Sequence, residues 1–318
     1  MKVNRRNFIS GFTAFAVVSH TGFAAGHEKS QTSPKRYQAG KSPWPICLDT
    51  ATIKPADGLL KKVEIAATAG FDAIEPWDWE LEEYEKKNGQ GSLKELAKII
   101  QSKGLFVPSM IGLWGCLQPT KELFEKNLPA TKNRMRMAAE IGCAHVQAIP
   151  NEIGANFDPI FAAKCYRQLL EIGINEFNII PSLVFVKYFP LKTMGQAAQV
   201  ALDANHPKAK IIPDVFHMYI SEGDFEGLKL LNGNIHAIFQ FNDAPKNMKR
   251  EDMGDKDRVY PGDGILPLTS ILKDLKASGF TGCVSLELYN ETYYKQDLLQ
   301  VAKTGLQKTL EVIVKAGV

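Results

Sequence analysis

Ile211-Ile212-Pro213-Asp214-Val215-Phe216-His217 reads as a short buried strand that stops at a carboxylate and delivers an imidazole three residues later. In parallel α/β proteins, chemistry collects where such strands end. An ionised Asp offers a hard oxygen ligand, and a neutral His offers a ligand or a proton shuttle. D-x-x-H alone is a weak signal, because solvated Asp and loop His are common. Its weight depends on whether neighbouring strands end in the same way.

Outward from this stretch, short apolar runs alternate with amphipathic ones from Pro45 onward. Strands are expected over 45–49, 71–75, 105–111, 145–149, 178–185, 210–214, 235–242 and 282–288. Helices are expected between them, the first capped by Asp57 and closed by Gly70, the next capped by Ser92. Longer ones are expected over 120–141, stopped at Gly142, and 158–172, stopped at Gly173. Further helices are expected over 192–203, near 225–231, up to Ala277 and over about 295–315. Pro181 inside the fifth run is expected to mark a distorted end. Repeated strand–helix units imply a parallel sheet, and eight of them imply one α/β (β/α)8 TIM barrel over 43–318. A doubly wound open sheet is the alternative, but no G-x-G-x-x-G follows the first strand.

The N-terminus stands apart from this pattern. Asn4-Arg5-Arg6-Asn7-Phe8-Ile9 is a twin-arginine pattern ahead of an apolar run, and Gly22-Phe23-Ala24 offers the small residues a signal peptidase reads. The run contains Ser10, Gly11 and Thr13, too weak for a stable membrane span. Residues 1–24 are therefore expected to be a signal peptide and 25–42 a flexible linker, placing the protein in the periplasm; an uncleaved anchor is the other reading. Loss of 1–24 removes Lys2, Arg5 and Arg6 and no acid, which turns a net charge of +3 into a neutral mature chain. Neither charge state suits nucleic acid. The 5 cysteines include no C-x-x-C pair and read as buried thiols. Nothing in the sequence fixes the oligomeric state.

In a barrel the strand ends share one face. They supply Asp49, then Glu75 with Trp77, Trp114, Gln147 with Asn151, Val184 with Lys187, Asp214 with His217, Gln240 with Asn242 and Asp243, and Glu287 with Asn290. Glu287 sits inside the apolar run Val284-Ser285-Leu286-Glu287-Leu288, where a carboxylate is costly unless it is ionised against a partner or a metal. Asp214, Gln240 and Glu287 lie on successive strands and could converge on one divalent ion, Mg or Mn by their oxygens, Zn or Co with a His nearby. The plainer readings are that Asp214 caps the next segment, Gln240 bonds backbone and Glu287 pairs with Arg258 or Lys187. Trp77, Trp79 and Trp114 are either core or an apolar wall for a sugar ring. Asp243 is a turn former or a site residue, and Arg258 is a fork for substrate oxygens or an ordinary ion-pair partner.

The order G-F-D-A-I-E-P (70–76), D-V-F-H (214–217), F-Q-F-N-D-A-P (239–245), P-G-D-G-I-L-P-L (261–268) and S-L-E-L-Y (285–289) resembles the xylose isomerase-like TIM-barrel superfamily of sugar isomerases and epimerases. The resemblance spans about 45–316. It implies one divalent ion held by Glu, Asp, His and Glu at the ends of strands five to eight. Asp214 takes the Asp role and Glu287 the last Glu role, with His217 matching the His that touches substrate. Gln240 stands where many members have His, although the dehydroshikimate dehydratase branch has Gln there. Val184, in I-P-S-L-V-F (180–185), falls where P-S-L-E-F places the first Glu, and Val can neither bind metal nor move a proton. The expected activity is proton abstraction next to a sugar carbonyl. Glu287 and His217 are its expected catalytic residues, and Glu75, Trp77, Trp114, Lys187, Asn242, Asp243 and Arg258 the expected substrate contacts. A lyase acting on a keto-sugar or 3-keto-glycoside is the first alternative, a non-catalytic sugar-binding protein the second.

Overall fold

The computed structural model describes residues 38–151, 157–221 and 223–318. The signal peptide and most of the linker expected from the sequence lie outside the described residues. Eight parallel strands run as β1 (Ile46–Asp49), β2 (Ala73–Glu75), β3 (Ser109–Trp114), β4 (His145–Ile149), β5 (Ile180–Val184), β6 (Ile211–Ile212), β7 (Phe239–Phe241) and β8 (Val284–Leu286). The orders β2-β1-β8-β7 and β3-β4-β5-β6 are joined by single parallel bridges, Ala73 with Phe106 and Trp77 with Ile111 on one side, Ile211 with His236 and Asp214 with Gln240 on the other. The ring is thereby closed, as eight strand–helix units require.

Among the described residues ten α-helices pack around it: α1 (Gly58–Ala69), α2 (Asp78–Asn88), α3 (Ser92–Ser102), α4 (Lys121–Glu140), α5 (Pro159–Ile172), α6 (Met194–Asp203), α7 (Val215–Ile220), α8 (Leu268–Ala277), α9 (Glu291–Tyr294) and α10 (Leu298–Ala316). Gly70 closes α1 in the left-handed region at φ 99°, which a side chain would resist. Strand alternation sorts the two sides of the wall. Ile46 and Leu48 of β1 face the helices, while Cys47 packs inside the barrel with Ala73, Ile111, Val184, Ile212 and Cys283. All five cysteines are free and buried, as their spacing implied. None of the helices among the described residues is long and apolar enough to cross a membrane.

Several expected boundaries shift for identifiable reasons. β3 starts at Ser109, four residues later than expected, because Pro108 cannot donate into a ladder and biases its predecessor towards extended backbone. Ser92 is the first residue of α3 and makes no cap; Gly91 precedes the helix in the left-handed region. Pro181 lies within β5 without distorting it. Its ring nitrogen shares the side from which Leu183 donates to Lys210, before β6 begins, so no ladder bond is lost there.

Candidate active site

At the C-terminal mouth of the barrel a cavity of about 210 Å³ is lined by side chains from β3, β4, β5 and β7 and from the segments that follow β2, β5, β6, β7 and β8. One wall is apolar: Trp77, Ile111, Trp114, Ile149, Val184, Val186 and Phe189. The indoles of Trp77 and Trp114 stack at 5.9 Å, and Tyr289 meets Trp77 edge-on at 6.2 Å. The opposite wall carries His217, Gln240, Asp255, Arg258 and Glu287.

Asp214 ends β6 and is fully buried. Its Oδ1 accepts the Phe216 and His217 amides at 2.7 and 3.0 Å, which caps α7 and leaves Oδ2 for the pocket side of the cluster. The capping reading holds at Oδ1, while Oδ2 turns to Arg258. The cap also swings His217 beside the strand ends, where its ring is buried.

Glu287 follows the inward position Ser285 by two residues, and so points the same way. Its Oε1 accepts the Tyr289 hydroxyl at 2.7 Å and its Oε2 accepts Arg258 Nη1 at 2.7 Å. The same Nη1 donates to Asp214 Oδ2 at 2.8 Å. The second arm, Nη2, donates to Asp255 Oδ1 at 2.7 Å and lies 3.1 Å from His217 Nε2. The same Nε2 lies 3.3 Å from Asp255 Oδ1, so it accepts from the guanidinium in one tautomer and donates to Asp255 in the other. The guanidinium carbon lies 5.3 Å from the Phe216 ring centre and 5.0 Å from that of Tyr289, a cation held against two aromatic faces. Arg258 itself is only 1% exposed.

The charges follow from this arrangement. Burial works against the Asp214 carboxylate, but the adjacent guanidinium, the His217 ring and the hydrogen bonds it accepts together hold that carboxyl below its usual range. Burial pushes Glu287 up to about 8, with the Asp214 charge adding and Arg258 opposing. Burial lowers the His217 imidazole, with Asp214 opposing and Arg258 adding. Deeper in the barrel, burial raises Asp49, with Glu287 and Glu75 adding to it. Burial raises Glu75 too, and its hydrogen bonds oppose that.

Of the residues expected from the sequence, His217, Gln240, Arg258, Glu287, Trp77 and Trp114 line this cavity, and Asp214 lies fully buried behind it, bound to Arg258. Four expected substrate contacts do not line it. Glu75 lies inside the barrel, with one oxygen taken by Gln147 at 2.7 Å and the other by Ser285 at 2.7 Å. Lys187 turns to the Glu251 carbonyl at 3.1 Å, and its neighbours Val186 and Tyr188 line the cavity instead. Asn242 steadies the cluster from behind, 3.3 Å from Asp214 Oδ2 and 3.4 Å from the Glu287 carbonyl. Asp243 accepts four backbone amides, Ala244 and Leu266 on Oδ1 at 2.8 and 2.9 Å and Gly262 and Gly264 on Oδ2 at 3.0 Å each. It anchors the loop that carries Arg258. Trp79 is 42% exposed and lies beside Lys62, apart from the cavity.

The sequence reading missed Asp255, Tyr188 and Tyr289. Tyr289 carried a signal, since it stands two residues past Glu287 where alternation returns a side chain to the same face. Asp255 and Tyr188 sit on loops, where no periodicity operates.

The family model described as xylose isomerase-like TIM barrel matches residues 63–313. The chain belongs to this family. The inosose isomerase of Halalkalibacterium halodurans is 24% identical over 277 residues, covering 85% of this chain and 96% of that enzyme. The 3-dehydroshikimate dehydratase of Pseudomonas putida is 25% identical over 274 residues, 82% of this chain and 40% of that protein. Among solved structures, the IolI protein with a bound zinc atom aligns with a TM-score of 0.77 at 24% identity, over 85% of this chain and 98% of that one.

A divalent ion is thus expected from kinship, and the donor set of this family member does not fit one. Asp214, Gln240 and Glu287 are brought together as expected, but the oxygens that would face an ion, Asp214 Oδ2 and Glu287 Oε2, both close on Arg258. His217 Nε2 does the same. Val184, at the corner where the resemblance implies a Glu, has no donor atom. Among the described residues no group of three or more His, Cys, Asp and Glu side chains is placed to hold a metal ion.

Proposed function

We propose that this barrel is an isomerase or epimerase-type enzyme that enolises a cyclic polyhydroxy ketone, with Glu287 as its proton-transfer group. The observation that carries this reading is the split cavity: a stacked-indole wall on one side, and on the other a buried carboxylate pair bridged by a guanidinium and an imidazole. The indole pair suits the apolar face of a saturated ring. The relatives named for inosose and 3-dehydroshikimate support a ring ketone as substrate class.

The step is written on this chain's residues. Glu287 takes the proton from the carbon beside the carbonyl, the C–H electron pair becomes the enolate double bond, and the carbonyl π pair moves onto oxygen. A carboxylate has four lone-pair directions, so Oε1 and Oε2 can each hold their present partner and still reach a proton. The vicinal hydroxyl passes its O–H proton to the former carbonyl oxygen, and return of the carbon-derived proton from Glu287 to the former carbonyl carbon, as the new C=O forms, completes an isomerisation. Loss of a β substituent from the same enolate completes an elimination.

The opposite wall supports single-base chemistry. Val184 stands where the resemblance implies a second carboxylate, and Gln147 is already bound to Glu75. A proton shift on one face, or a β-elimination, needs only one base, whereas inversion at carbon by two opposed bases needs a second. The elimination reading is kept on the strength of this one-sided arrangement. The twin-arginine segment supports an exported enzyme that meets its substrate outside the cytoplasm.

The test is NMR in deuterated water with 2-keto-inositol, 3-dehydroshikimate and a panel of keto-sugars and 3-keto-glycosides. Expected is deuterium at the carbon beside the carbonyl, lost by at least about 100-fold in Glu287→Gln, the scale of a removed general base. Exchange without net turnover separates an enzyme from a binder, and an alkene-containing product marks the lyase. No exchange with any member of the panel would favour the sugar-binding alternative.

A further inference from the structure

We infer that Arg258 is the resident cation of this site, held between Asp214, Glu287 and His217, where the family resemblance implies a divalent ion. The argument is geometric. One nitrogen, Nη1, bridges Asp214 Oδ2 at 2.8 Å and Glu287 Oε2 at 2.7 Å, and the other meets His217 Nε2 at 3.1 Å. Asp255 completes the cluster on the second arm, with Nη2 donating to its Oδ1 at 2.7 Å, so one planar fork meets three carboxylates and an imidazole. A guanidinium is the one side chain that stays charged under all ordinary conditions and presents several donors in a fixed plane.

The rest of the cluster is consistent with a permanent cation. Val184, on the cavity wall at the position where the resemblance implies a Glu, offers an ion no oxygen or nitrogen. The guanidinium is clamped between Phe216 and Tyr289. Its backbone is tied down on both sides: Asn290 Nδ2 donates to the Arg258 carbonyl at 3.0 Å, and Asp243 gathers the amides of Gly262, Gly264 and Leu266 just beyond it. A metal is held by its ligands, but here the cation is held by its own chain and the ligands are arranged around it. Because Arg258 also forms part of the cavity wall, its charge faces an oxygen that becomes negative there.

The catalytic half of this inference rests on the enolisation reading, and the binding half does not. Wild type, Arg258→Ala, Asp214→Asn and the double variant Arg258→Ala/Asp214→Asn are stripped with chelator. Zn²⁺ and Mn²⁺ are then titrated by calorimetry and by thermal melts. Wild type is expected to show no binding that depends on Asp214 and no metal-induced rise in Tm. Arg258→Ala vacates the point between two carboxylates and an imidazole, so it is expected to gain one Zn²⁺ per chain and a rise in Tm, both lost in the double variant. One Zn²⁺ per wild-type chain, abolished by Asp214→Asn, would overturn the inference. Should Arg258→Ala not fold, the wild-type and Asp214→Asn titrations decide it alone. Deuterium exchange by chelator-treated wild type is run in parallel. Exchange that is lost with chelator and restored by Mn²⁺ would also overturn the inference. Absence of exchange under every condition would remove the enolisation reading and leave the binding result standing.

Discussion

Asp243→Asn keeps the shape of the side chain and removes its charge, and the structure says what that should cost. The carboxylate accepts Ala244 and Leu266 on Oδ1 and Gly262 and Gly264 on Oδ2, at 2.8 to 3.0 Å. An amide retains one accepting oxygen, which keeps one pair of these bonds in weaker, neutral form. Its NH₂ then confronts the other pair of amides, donor against donor. Hydrogen bonds to a charged group contribute about 1.5–3 kcal/mol each, and a buried donor left unpaired costs about 1–3 kcal/mol. With two bonds lost and two weakened, the expected loss is about 3–5 kcal/mol, a large share of the stability of a typical domain. The loss should not be spread evenly. The four amides belong to the loop between β7 and α8, so the segment around 250–266 should open first, releasing Arg258 from the carboxylates. Chemical denaturation gives the magnitude, and amide hydrogen exchange gives the place. Loop amides should lose protection before β1 and β8 do. A loss under about 1 kcal/mol with unchanged protection across 250–266 would refute the anchor, because four short bonds to one carboxylate cannot be that cheap to break.

Gly264→Ala attacks the same anchor sterically: a Cβ there would lie 2.1 Å from the Ala244 carbonyl and 2.2 Å from Asp243 Oδ1, so a lower Tm and early loss of loop protection are expected. His236 is buried with neither ring nitrogen hydrogen-bonded, and burial, with Lys210 adding, lowers it to about 4. Its folded pKa lies below the unfolded value, so the unfolded chain gains the proton first: its contribution is intact above about pH 6.5 and is lost as pH falls towards 4, about 2 kcal/mol by pH 5. Denaturation at about pH 7 and pH 5 should show that drop in wild type reduced by this amount in His236→Phe; equal drops would mean the ring is already protonated or exposed. Val184→Glu adds a carboxylate to a cavity that Asp255 and Glu287 already line beside one guanidinium. The new group should titrate high, so the variant's Tm deficit should shrink as pH falls; a deficit independent of pH would place residue 184 away from the cluster.

The fold was legible because it repeats. Eight apolar runs with helical stretches between them leave few arrangements other than a closed parallel ring. The strand ends were legible for the same reason, and Glu287 and Asp214 stood out because a carboxylate within or at the end of an apolar run needs a partner. What the sequence concealed was set by tertiary pairing. α2, Asp78–Asn88, is too polar to show an apolar stripe, yet it buries Asp78 and Glu80, because Arg134 and Lys62 neutralise them. Glu75 ends its strand like a site residue, but Gln147 and Ser285 close on it from two other strands inside the barrel. The identity of a carboxylate is visible in one strand; whether it faces substrate, a cation or another side chain depends on strands far away in the chain.

Arg258 shows the point most sharply. In the sequence it is one basic residue in a turn-rich loop, with an ion pair and a substrate contact as equal readings. In the structure it makes the ion pair, and that decides how the site works. A buried carboxylate pair with nothing between would not stay ionised, since two like charges in a dry pocket share a proton instead. Some cation must sit there for Asp214 to remain an anion beside Glu287. A divalent ion would need further donors from the strand-five and strand-seven corners, where Val184 offers none and Gln240 only a neutral amide oxygen. A guanidinium needs neither, because its charge is single and its stem is covalent. Once the loop had placed Arg258 at that point, a carboxylate at position 184 would have added repulsion without a ligand to hold. The valine and the arginine therefore belong to one arrangement: the absence of the acid on β5 and the presence of the cation from the β7 loop each make the other tolerable.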